Sequence, residues 1–510
     1  MASNPVAAND TTTETEIDLG DIDDRLSEEL IIALVGPVGS GCSTIGEEIA
    51  RSLKDDYAYD PVQITLSSLI REHAQEVGMD IPSGLSNSER VDRYQDVGNK
   101  LRSEFGDEYI ADRAIERIAI ERDQREGYAV RGAKRVVLPV RRVYLLDSLK
   151  NPAELRRLRQ VYGDLLWVVS IFAPEKIRLD RLTRTGMADE DARYVMKRDY
   201  DEEKNSGQKV SKIAHQGNFF VRNSSDNRDD VKKPVQRFLQ TIFGIGIHTP
   251  TGDEKGMMEA AAAAVRSACL SRQVGAAIYD IDGDLLGVGC NDVPKYGGGL
   301  YSEGGGSDHR CFKWQENQCH NDDRKKKLAS KIARSLNKES EADSATVERI
   351  LDQGIGSLIE FSRSVHAEME AIVSVSRLGN GSTLGATLYT TTFPCHNCAR
   401  HIVAAGIERV IYVEPYAKSL ALDLHKDSIT IDEECDDKVK FLQYEGFAPR
   451  TSLKLFSSVG RERKENGRFV EANPKSAKPI FASPLDSYTM TENRVIEMLN
   501  QGNGDGPQAA

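Results

Sequence analysis

Apolar and polar positions over the first 243 residues alternate between strand-like and helix-like patterns. Leu30–Val35 is a wholly apolar run, as expected of a strand buried in a parallel sheet. A helical pattern over Ile45–Leu53 follows a glycine-rich segment. Three later runs rich in apolar and β-branched residues predict further strands: Arg142–Asp147, Leu165–Phe172 and Phe219–Asn223. This alternation predicts a doubly wound α/β fold for the first block of the chain.

A second block begins with the alanine-rich stretch Met257–Cys269, which has a strong intrinsic preference for helix. An Asp-Gly turn at Asp282-Gly283 separates two strand-like runs and predicts a hairpin. The other elements follow from period and composition: strands Gln273–Tyr279, Leu285–Gly289, Ala386–Phe393, Arg409–Glu414 and Val439–Tyr444, and helices Glu368–Gly379, Cys395–Gly406 and Ser419–Leu424. The pattern predicts one mixed sheet covered by helices, a three-layer α/β/α domain.

Composition places the domain boundaries. Residues 1–28 and 458–510 are polar and lack a sustained apolar period, so the first is predicted to be a disordered tail and the second a largely disordered one. Glycine, proline and threonine interrupt both periodicities over 247–256, which is predicted to be a linker. The chain is therefore expected to contain a first α/β domain over 29–246 and a second over 257–457.

Charge and cysteine content narrow the classes of function. The 510 residues carry a formal net charge of −13, whereas proteins that grip long nucleic acids are more often basic. Small-molecule substrates are therefore favoured. Eight cysteines in a chain of this length, without a secretory signal or a bilayer-spanning apolar stretch, favour a cytoplasmic protein in a reducing compartment with no membrane partner.

Two short motifs in the second block carry the chemistry. His366-Ala367-Glu368 precedes one predicted helix, and Pro394-Cys395-His396-Asn397-Cys398 begins the next. One imidazole and two thiolates suit a catalytic Zn²⁺, which keeps a fourth position for water. Glu368 is predicted to be a proton shuttle beside that position. His-x-Glu followed by Pro-Cys-x-x-Cys is the pattern of zinc nucleobase deaminases.

The glycine-rich segment after the first strand has the spacing of a phosphate-binding loop, GxxxxGK[ST], with Cys42 at the lysine position. Successive backbone amides in such a loop cradle phosphate at the start of a helix. The residues predicted to bind nucleotide are Gly36, Gly39, Ser40, Gly41, Cys42, Ser43 and Thr44. A neutral thiol cannot supply the lysine's charge, so nucleotide binding is expected here and efficient phosphoryl transfer is not.

Other polar residues of the first block are placed to serve the same loop. Asp147 ends a predicted strand and is the candidate partner of Mg²⁺, together with Ser43. Arg178, Arg181 and Arg184 share one face of a predicted helix, where they are either phosphate clamps or a solvated surface.

The first block resembles P-loop nucleoside and nucleotide kinases. The loop, Leu146-Asp147-Ser148, the arginine-bearing helix and the closing strand carry this resemblance. It implies a nucleotide-binding or regulatory module in which Mg²⁺ accompanies the nucleotide. A purely structural domain is the alternative, because a fold does not by itself give a function.

The second block resembles the deoxycytidylate deaminase family. The segments that carry the resemblance are Cys269–Ala277, Gly287–Asn291, Val365–Glu368 and Pro394–Cys398. It implies a cytidine-deaminase-like fold. The roles that it implies are zinc ligands at His366, Cys395 and Cys398, catalysis by Glu368, base binding by the Ala367 amide and sugar binding by Asn291.

An insertion over Asp292–Arg363 departs from that family. Its Cys311, Cys319 and His320, with His309 as an additional candidate, could hold a second, structural zinc ion, although they lack a paired CxxC spacing. Elsewhere in the block, Arg272 and Lys418 are candidates to bind the phosphates of a nucleotide substrate, with an ordinary surface position as the alternative for each.

The combined architecture resembles bacterial anti-phage dCTP deaminases. This resemblance implies deamination of dCTP and/or dCMP to dUTP or dUMP with release of ammonia, depletion of nucleotides during infection, a regulatory nucleotide or inhibitory factor, and a homo-oligomer. RNA-directed enzymes such as tRNA adenosine deaminases share the zinc motif and are an alternative. Riboflavin-type deaminases are a weaker one. A nucleotide-sensing regulatory protein with a degenerate kinase domain is the alternative from another class.

Overall fold

Two six-stranded sheets organise the chain in the computed structural model, which describes residues 25–131, 134–202, 206–225, 227–304, 306–337, 343–416, 418–458 and 463–502. Helices cover both sheets, so the predicted α/β fold class is confirmed. Within these ranges, no helix combines the length and the apolar character that a membrane crossing requires.

The first sheet contains five parallel strands in the order β7-β6-β1-β5-β2. A separate short hairpin, β3-β4, lies outside it. The elements of this part are β1 (Leu30–Val35), α1 (Cys42–Tyr57), β2 (Asp60–Thr65), α2 (Leu66–Glu72), α3 (Asn87–Phe105), α4 (Tyr109–Gln124), β3 (Tyr128–Arg131), β4 (Lys134–Val137), β5 (Arg142–Leu149), α5 (Pro152–Tyr162), β6 (Leu166–Phe172), α6 (Glu175–Arg184), α7 (Asp189–Tyr200), α8 (Val210–Ile213), β7 (Phe219–Arg222) and α9 (Arg228–Ile242).

The wholly apolar composition of β1 follows from its central place in this sheet. Its odd-numbered residues pack against helices α2–α5, and its even-numbered residues pack against α1 and α9. Because successive side chains of a strand point to opposite faces, a strand covered on both faces needs no polar position. The predicted doubly wound arrangement is therefore present.

The second sheet has the order β12-β13-β11-β10-β8-β9. Strand β8 runs antiparallel to both of its neighbours, and the remaining pairs are parallel, which confirms the predicted mixed sheet. Its elements are α10 (Gly252–Ala264), β8 (Gly275–Tyr279), β9 (Leu285–Cys290), α11 (His320–Asn337), α12 (Ser344–Asp352), α13 (Ala367–Leu378), β10 (Thr387–Thr392), α14 (His396–Ala404), β11 (Arg409–Glu414), α15 (Ala421–Leu424), β12 (Ile429–Thr430) and β13 (Val439–Gln443).

Glycines in β9 allow α13 to lie directly on the sheet. A Cβ atom built on Gly289 would be 2.2 Å from the Ala367 carbonyl oxygen and 2.4 Å from the Ala371 nitrogen. Both are backbone atoms, so no side chain can move aside. Gly289 is therefore a point of close backbone approach, and this packing places the start of α13 on the sheet.

Gly289→Ala is expected to destabilise the fold by about 1–3 kcal/mol, because the added methyl group forces α13 away from β9. Urea unfolding followed by circular dichroism measures this loss. Gly252→Ala is the matched control, since a Cβ atom there meets nothing within 4 Å. Equal stability of the two variants would contradict the close approach.

Helix α10 begins inside the predicted linker. Thr251 and Glu254 form a capping box, which starts the helix at Gly252. The buried Glu254 carboxylate also accepts hydrogen bonds from Arg237 and from the Phe447 backbone amide. Glu254 thus joins segments of the chain that the sequence analysis assigned to different domains.

Helix α10 ends at Ala264, so the predicted extension of this helix to Cys269 is wrong.

The chain after β13 returns to the first sheet, so the predicted domain boundary near 457 is corrected. Strand β14 (Gly446–Phe447) pairs antiparallel with β7 and becomes the sixth strand. Helix α16 (Pro449–Phe456) then contributes Leu455 to the core beside α1 and α9. A small hairpin follows, formed by β15 (Lys464–Glu465) and β16 (Arg468–Phe469).

The last described helix corrects the predicted disordered tail. Helix α17 (Leu485–Gly502) places Leu485, Tyr488 and Val495 in the core beneath the first sheet. At the other terminus, Arg25 is only 8% exposed and donates to the Val137 carbonyl. The predicted tail residues 1–24, 459–462 and 503–510 lie outside the described residues.

A buried charge network fixes α17. The fully buried Arg122 guanidinium donates to Glu492 at 2.7 Å and to Glu29 at 2.9 Å. Glu29 also accepts from the Tyr488 hydroxyl at 2.8 Å. Because unpaired buried charges are costly, this network specifies where the helix docks.

Glu492→Gln is expected to lower the free energy of unfolding by about 1.5–3 kcal/mol, because it replaces a charge-assisted hydrogen bond to the buried guanidinium. Thermal and urea unfolding measure the change. Glu497→Gln is the control, because Glu497 is exposed on the same helix. A loss no larger than that of the control would show that the network does not stabilise the docked helix.

Candidate active site

Two helix N-termini meet near the end of β10, an inner strand of the second sheet. His366 is the N-cap residue of α13, and Cys395 is the N-cap residue of α14. Cys398 follows in the first turn of α14. The strand β10 leads into Pro394 and fixes where α14 starts. The positive ends of both helix dipoles therefore point towards the same small volume, which favours thiolate over thiol.

The three predicted zinc ligands converge. The His366 Nδ1 atom lies 3.3 Å from the Cys395 sulfur and 3.3 Å from the Cys398 sulfur. Ligand atoms around a tetrahedral zinc ion lie about 3.5 Å apart. In the part of the chain that the structure describes, no other group of three histidine, cysteine or acidic side chains brings its donor atoms this close. The donor set and its spacing fit Zn²⁺.

Glu368 lies beside these ligands and is 4% exposed. Its Oε2 atom accepts from the Cys398 sulfur at 3.4 Å. Burial raises the pKa of the Glu368 carboxyl. Hydrogen bonds with Cys398 and His366 lower the pKa of the Cys395 thiol to about 4, despite its burial. The hydrogen bond with Cys395 and burial raise the pKa of the Cys398 thiol instead. The site therefore combines one thiolate, at Cys395, with a carboxyl group suited to proton transfer.

A cavity of about 310 Å³ opens onto this group. Its size falls at the lower end of the range for small-molecule sites. His366, Ala367, Glu368, Cys395 and Asn291 all line it. The structure thus brings the predicted catalytic and substrate-binding residues of the second block to one place.

Asn291, the predicted sugar-binding residue, also forms hydrogen bonds with the backbone of the segment before β8. The Asn291 Oδ1 atom accepts from the Val274 amide at 2.7 Å, and its Nδ2 atom donates to the Arg272 carbonyl at 2.8 Å. An asparagine amide has two N–H groups and two acceptor positions. One of each therefore remains to meet a hydroxyl group of a substrate in the cavity.

The insertion forms one wall of the cavity, a feature that the sequence analysis missed. A bridge between Asp292, its first residue, and Val365, two residues beyond its end, brings its ends together; the Val365 amide donates to the Asp292 carbonyl at 3.0 Å. Lys325 and Arg363 reach the cavity from this insertion. Their positions depend on how a long segment folds back, which no local spacing reveals.

Four cationic side chains line the cavity: Arg272, Lys325, Arg363 and Lys418. The predicted pair, Arg272 and Lys418, is thus placed at the site. Arg272 lies 3.5 Å from the Glu414 carboxylate, and Lys418 is exposed. The cavity therefore offers positive charge to an anionic substrate.

The predicted second zinc site does not form. The donor atoms of Cys311, Cys319 and His320 do not all come within 4.8 Å of one another. All three residues nevertheless line the cavity, and the electrostatic neighbours of the Cys311 thiol include Cys269 and Cys319. His309 instead packs against Trp314, with the two rings tilted by 43°. Cys311, Cys319 and His320 therefore form part of the cavity wall rather than a separate metal site.

The glycine-rich loop of the first domain connects β1 to α1, as predicted. The Ser43 hydroxyl donates to Asp147 Oδ2 at 2.8 Å, which places the two candidate magnesium partners together. Arg178 and Arg181 contact the loop, but they donate to its backbone carbonyls, Arg178 to Val38 and Arg181 to Gly39 and Ser40. These two arginines therefore support the loop. Of the two alternatives left by the sequence, phosphate clamps or a solvated surface, the solvated surface does not describe Arg178 and Arg181, which are half-buried against the loop.

Comparisons with known proteins agree with this geometry. Residues 250–414 match the family model of the cytidine and deoxycytidylate deaminase zinc-binding region, which confirms the resemblance of the second block. ComE operon protein 2 of Bacillus subtilis (strain 168) is 37% identical over 84 residues, which cover 15% of this chain and 42% of that protein. The deoxycytidylate deaminase of Enterobacteria phage T2 is 45% identical over 56 residues, 11% of this chain and 29% of that enzyme.

The first domain has relatives of its own. A UPF0200/UPF0201 protein of Archaeoglobus fulgidus (strain ATCC 49558 / DSM 4304 / JCM 9628 / NBRC 100126 / VC-16) is 26% identical over 226 residues, which cover 44% of this chain and 59% of that protein. The chain therefore spans less than two thirds of each of these three relatives. Residues 250–414 thus match the zinc-binding region of a deaminase family, and the first block contains the glycine-rich loop between β1 and α1.

Proposed function

We propose that this protein catalyses the hydrolytic deamination of deoxycytidine nucleotides, converting dCTP or dCMP into dUTP or dUMP and ammonia. The observation that carries the proposal is the buried Glu368 carboxyl beside the converging His366, Cys395 and Cys398 side chains. The family match over residues 250–414 and the similarity to a phage deoxycytidylate deaminase support the same activity.

The metal in this proposal is Zn²⁺, held by His366, Cys395 and Cys398. Two sulfur donors and one imidazole nitrogen form a three-ligand set of the kind that catalytic zinc sites use. When bound, zinc supplies Lewis acidity, which makes a nucleophile available from water near neutral pH.

Glu368 handles the protons of the reaction. It removes a proton from the water that attacks carbon 4 of cytosine, and a carbon–oxygen bond forms there. It delivers that proton to the ring nitrogen and then moves the proton of the new hydroxyl group on carbon 4 to the amino group. The carbonyl group forms at carbon 4 as the carbon–nitrogen bond breaks and ammonia leaves. A carboxyl group whose pKa is raised by burial is suited to both directions of transfer near neutral pH.

Backbone and side-chain groups around the cavity orient the substrate in this proposal. Ala367 is the first residue of α13, so its amide has no partner within the helix and is assigned to the carbonyl group of the base. Asn291 is assigned to a sugar hydroxyl through its remaining N–H group. The cationic residues of the wall are assigned to the phosphates.

The wider biological role belongs to the same proposal. Depletion of deoxycytidine nucleotides during infection would give an antiviral function, and the first domain would bind a regulatory nucleotide with Mg²⁺. The glycine-rich loop, with Ser43 and Asp147 in contact, supports nucleotide binding by that domain.

Ammonia release from dCMP, dCTP, cytidine and deoxycytidine by the purified, zinc-loaded protein tests the activity. We expect turnover of at least one of the two nucleotides and little of the unphosphorylated nucleosides, because the cavity wall carries four cationic side chains. A transfer RNA substrate serves as the comparison. Deamination confined to RNA would contradict the proposal and favour the RNA-directed alternative.

A further inference from the structure

The glycine-rich loop contains no cation of its own. Cys42 occupies the lysine position of the motif, and burial raises the pKa of its thiol to about 11. The thiol is therefore neutral at physiological pH. Binding of β- and γ-phosphates in such loops depends on a positive charge at this point. A functional loop in this chain needs the charge from another residue.

Lys150 brings a positive charge to the loop from the end of β5. Its ammonium group donates to the Gly36 carbonyl at 3.0 Å, at the first residue of the loop. The Cys42 thiol is among its electrostatic neighbours. Burial opposes the charge on Lys150, but the Asp199 carboxylate offsets this effect, so the pKa of the ammonium group is raised. A protonated lysine therefore lies beside the position where the motif normally has one.

An internal carboxylate meets the groups that a phosphate would meet. Asp199, near the end of α7, is 1% exposed. Its Oδ2 atom accepts from the Val38 amide of the loop at 2.7 Å, and its Oδ1 atom pairs with the Lys150 ammonium at 2.9 Å. Loop amides and a lysine are the donors that bind nucleotide phosphates in P-loop proteins. Asp199 thus supplies an anion to this loop from within the chain.

The Asp147 carboxylate beside the loop is placed to bind a metal cation. Asp147 accepts from Ser43 through Oδ2, while its Oδ1 atom is buried and has no hydrogen-bond partner among the described residues. Buried carboxylate oxygens are nearly always satisfied by a donor or an ion. An unsatisfied oxygen beside the loop serine is therefore what a Mg²⁺ ion bound with a nucleotide would use.

Arginine side chains hold the loop in place, so we expect a bound ligand to displace part of α7 rather than the loop. Arg178 and Arg181 of α6 bind three of the loop's carbonyl groups. Helix α7 instead meets the loop through Asp199 and through a small apolar cluster that joins Met196 to Val38. The Asp199 contact thus joins α7 to a polar site.

We infer that the loop binds the phosphates of a nucleoside triphosphate with Mg²⁺, that Lys150 replaces the missing lysine of the motif, and that the phosphates displace the Asp199 carboxylate. Asp199 therefore competes with the ligand for Lys150 and for the Val38 amide. The inference rests on the nucleotide-binding part of the proposed function and is independent of the chemistry at Glu368.

Isothermal titration calorimetry of the full, zinc-loaded chain with magnesium tripolyphosphate, and in parallel with magnesium ATP, tests this inference. Lys150→Met is expected to weaken binding at the loop by about tenfold or more, because a charge-assisted contact is lost. Asp199→Asn is expected to strengthen binding by about tenfold or more, because it removes the competing charge but keeps an oxygen for the Val38 amide. Lys197→Met and Asp191→Asn, which change the same charges at exposed positions of α7, are expected to match the wild type.

Unchanged affinity in Asp199→Asn would overturn the inference, and so would equal affinity of Lys150→Met and the wild type. If Lys150→Met does not fold, as judged by circular dichroism, Asp199→Asn alone decides. Ammonia release is measured on the same proteins. A chain that deaminates nucleotides but binds neither probe at the loop refutes this inference and leaves the deaminase proposal intact. A chain that binds the probes as described but releases no ammonia refutes the deaminase proposal and leaves this inference intact.

Discussion

Glu368→Gln is expected to lower the rate of ammonia release from the preferred nucleotide by about 10²- to 10⁴-fold while leaving the zinc content unchanged. Glutamine matches glutamate in size and shape, but it cannot remove a proton from water or return one to the leaving amino group. Glu368 is not among the three converging metal ligands, so its replacement spares the donor set. The measurements are initial rates of ammonia release and zinc per chain by elemental analysis.

Glu370→Gln is the matched control for this prediction. Glu370 lies two residues further along the same helix and is also buried, but its carboxylate pairs with Arg377 at 3.0 Å and does not line the cavity. This variant is expected to keep most of the wild-type rate. If Glu368→Gln turned over as fast as the control, Glu368 could not be the residue that transfers the protons.

The sequence predicts the centre of this site well because its determinants are local. His366 and Glu368 are two residues apart, and Cys395 and Cys398 lie within the first turn of one helix. Their helices and strands have clear apolar periods, and the structure places β11 at the predicted bounds, Arg409–Glu414. Where a motif and its supporting elements lie within a few tens of residues, spacing and periodicity suffice to place the side chains.

Features that depend on distant segments were not predictable in the same way. Lys150 serves a loop that begins at Gly36, and only the parallel pairing of β1 with β5 brings the two together. Strand β14 joins the first sheet although it follows the second one along the chain. Loop closure over such distances leaves no periodic signal in the sequence.

The docking of α17 is an intermediate case. Leu485 and Tyr488 are spaced as neighbours on one helical face, and Val495 lies two turns further along that face. This periodicity was available in the sequence, but the many polar residues between these positions masked it. The partner of the helix, Arg122, lies 370 residues away in sequence and could not be inferred.

Cys398→Ala is expected to remove zinc from the protein and to abolish measurable ammonia release. Cys398 is one of the three predicted protein ligands, and this almost completely buried residue places its sulfur 3.3 Å from His366 Nδ1. With two protein ligands remaining, the site loses the geometry and much of the charge neutralisation that hold a divalent ion. The zinc content measured by elemental analysis should fall from about one ion per chain in the wild type to a small fraction of that in the variant.

Cys435→Ser provides the control for this loss, because Cys435 lies outside the cavity and its thiol donates to Asp437 in a surface segment. It is expected to retain both the metal and the activity. Adding Zn²⁺ in excess should not rescue Cys398→Ala, since the missing donor is a protein side chain, whereas it should restore wild-type protein that has been stripped with a chelator. Full zinc occupancy and normal turnover in Cys398→Ala would show that the converging donors are not the catalytic metal site, and the assignment of Glu368 would then lose its physical basis as well.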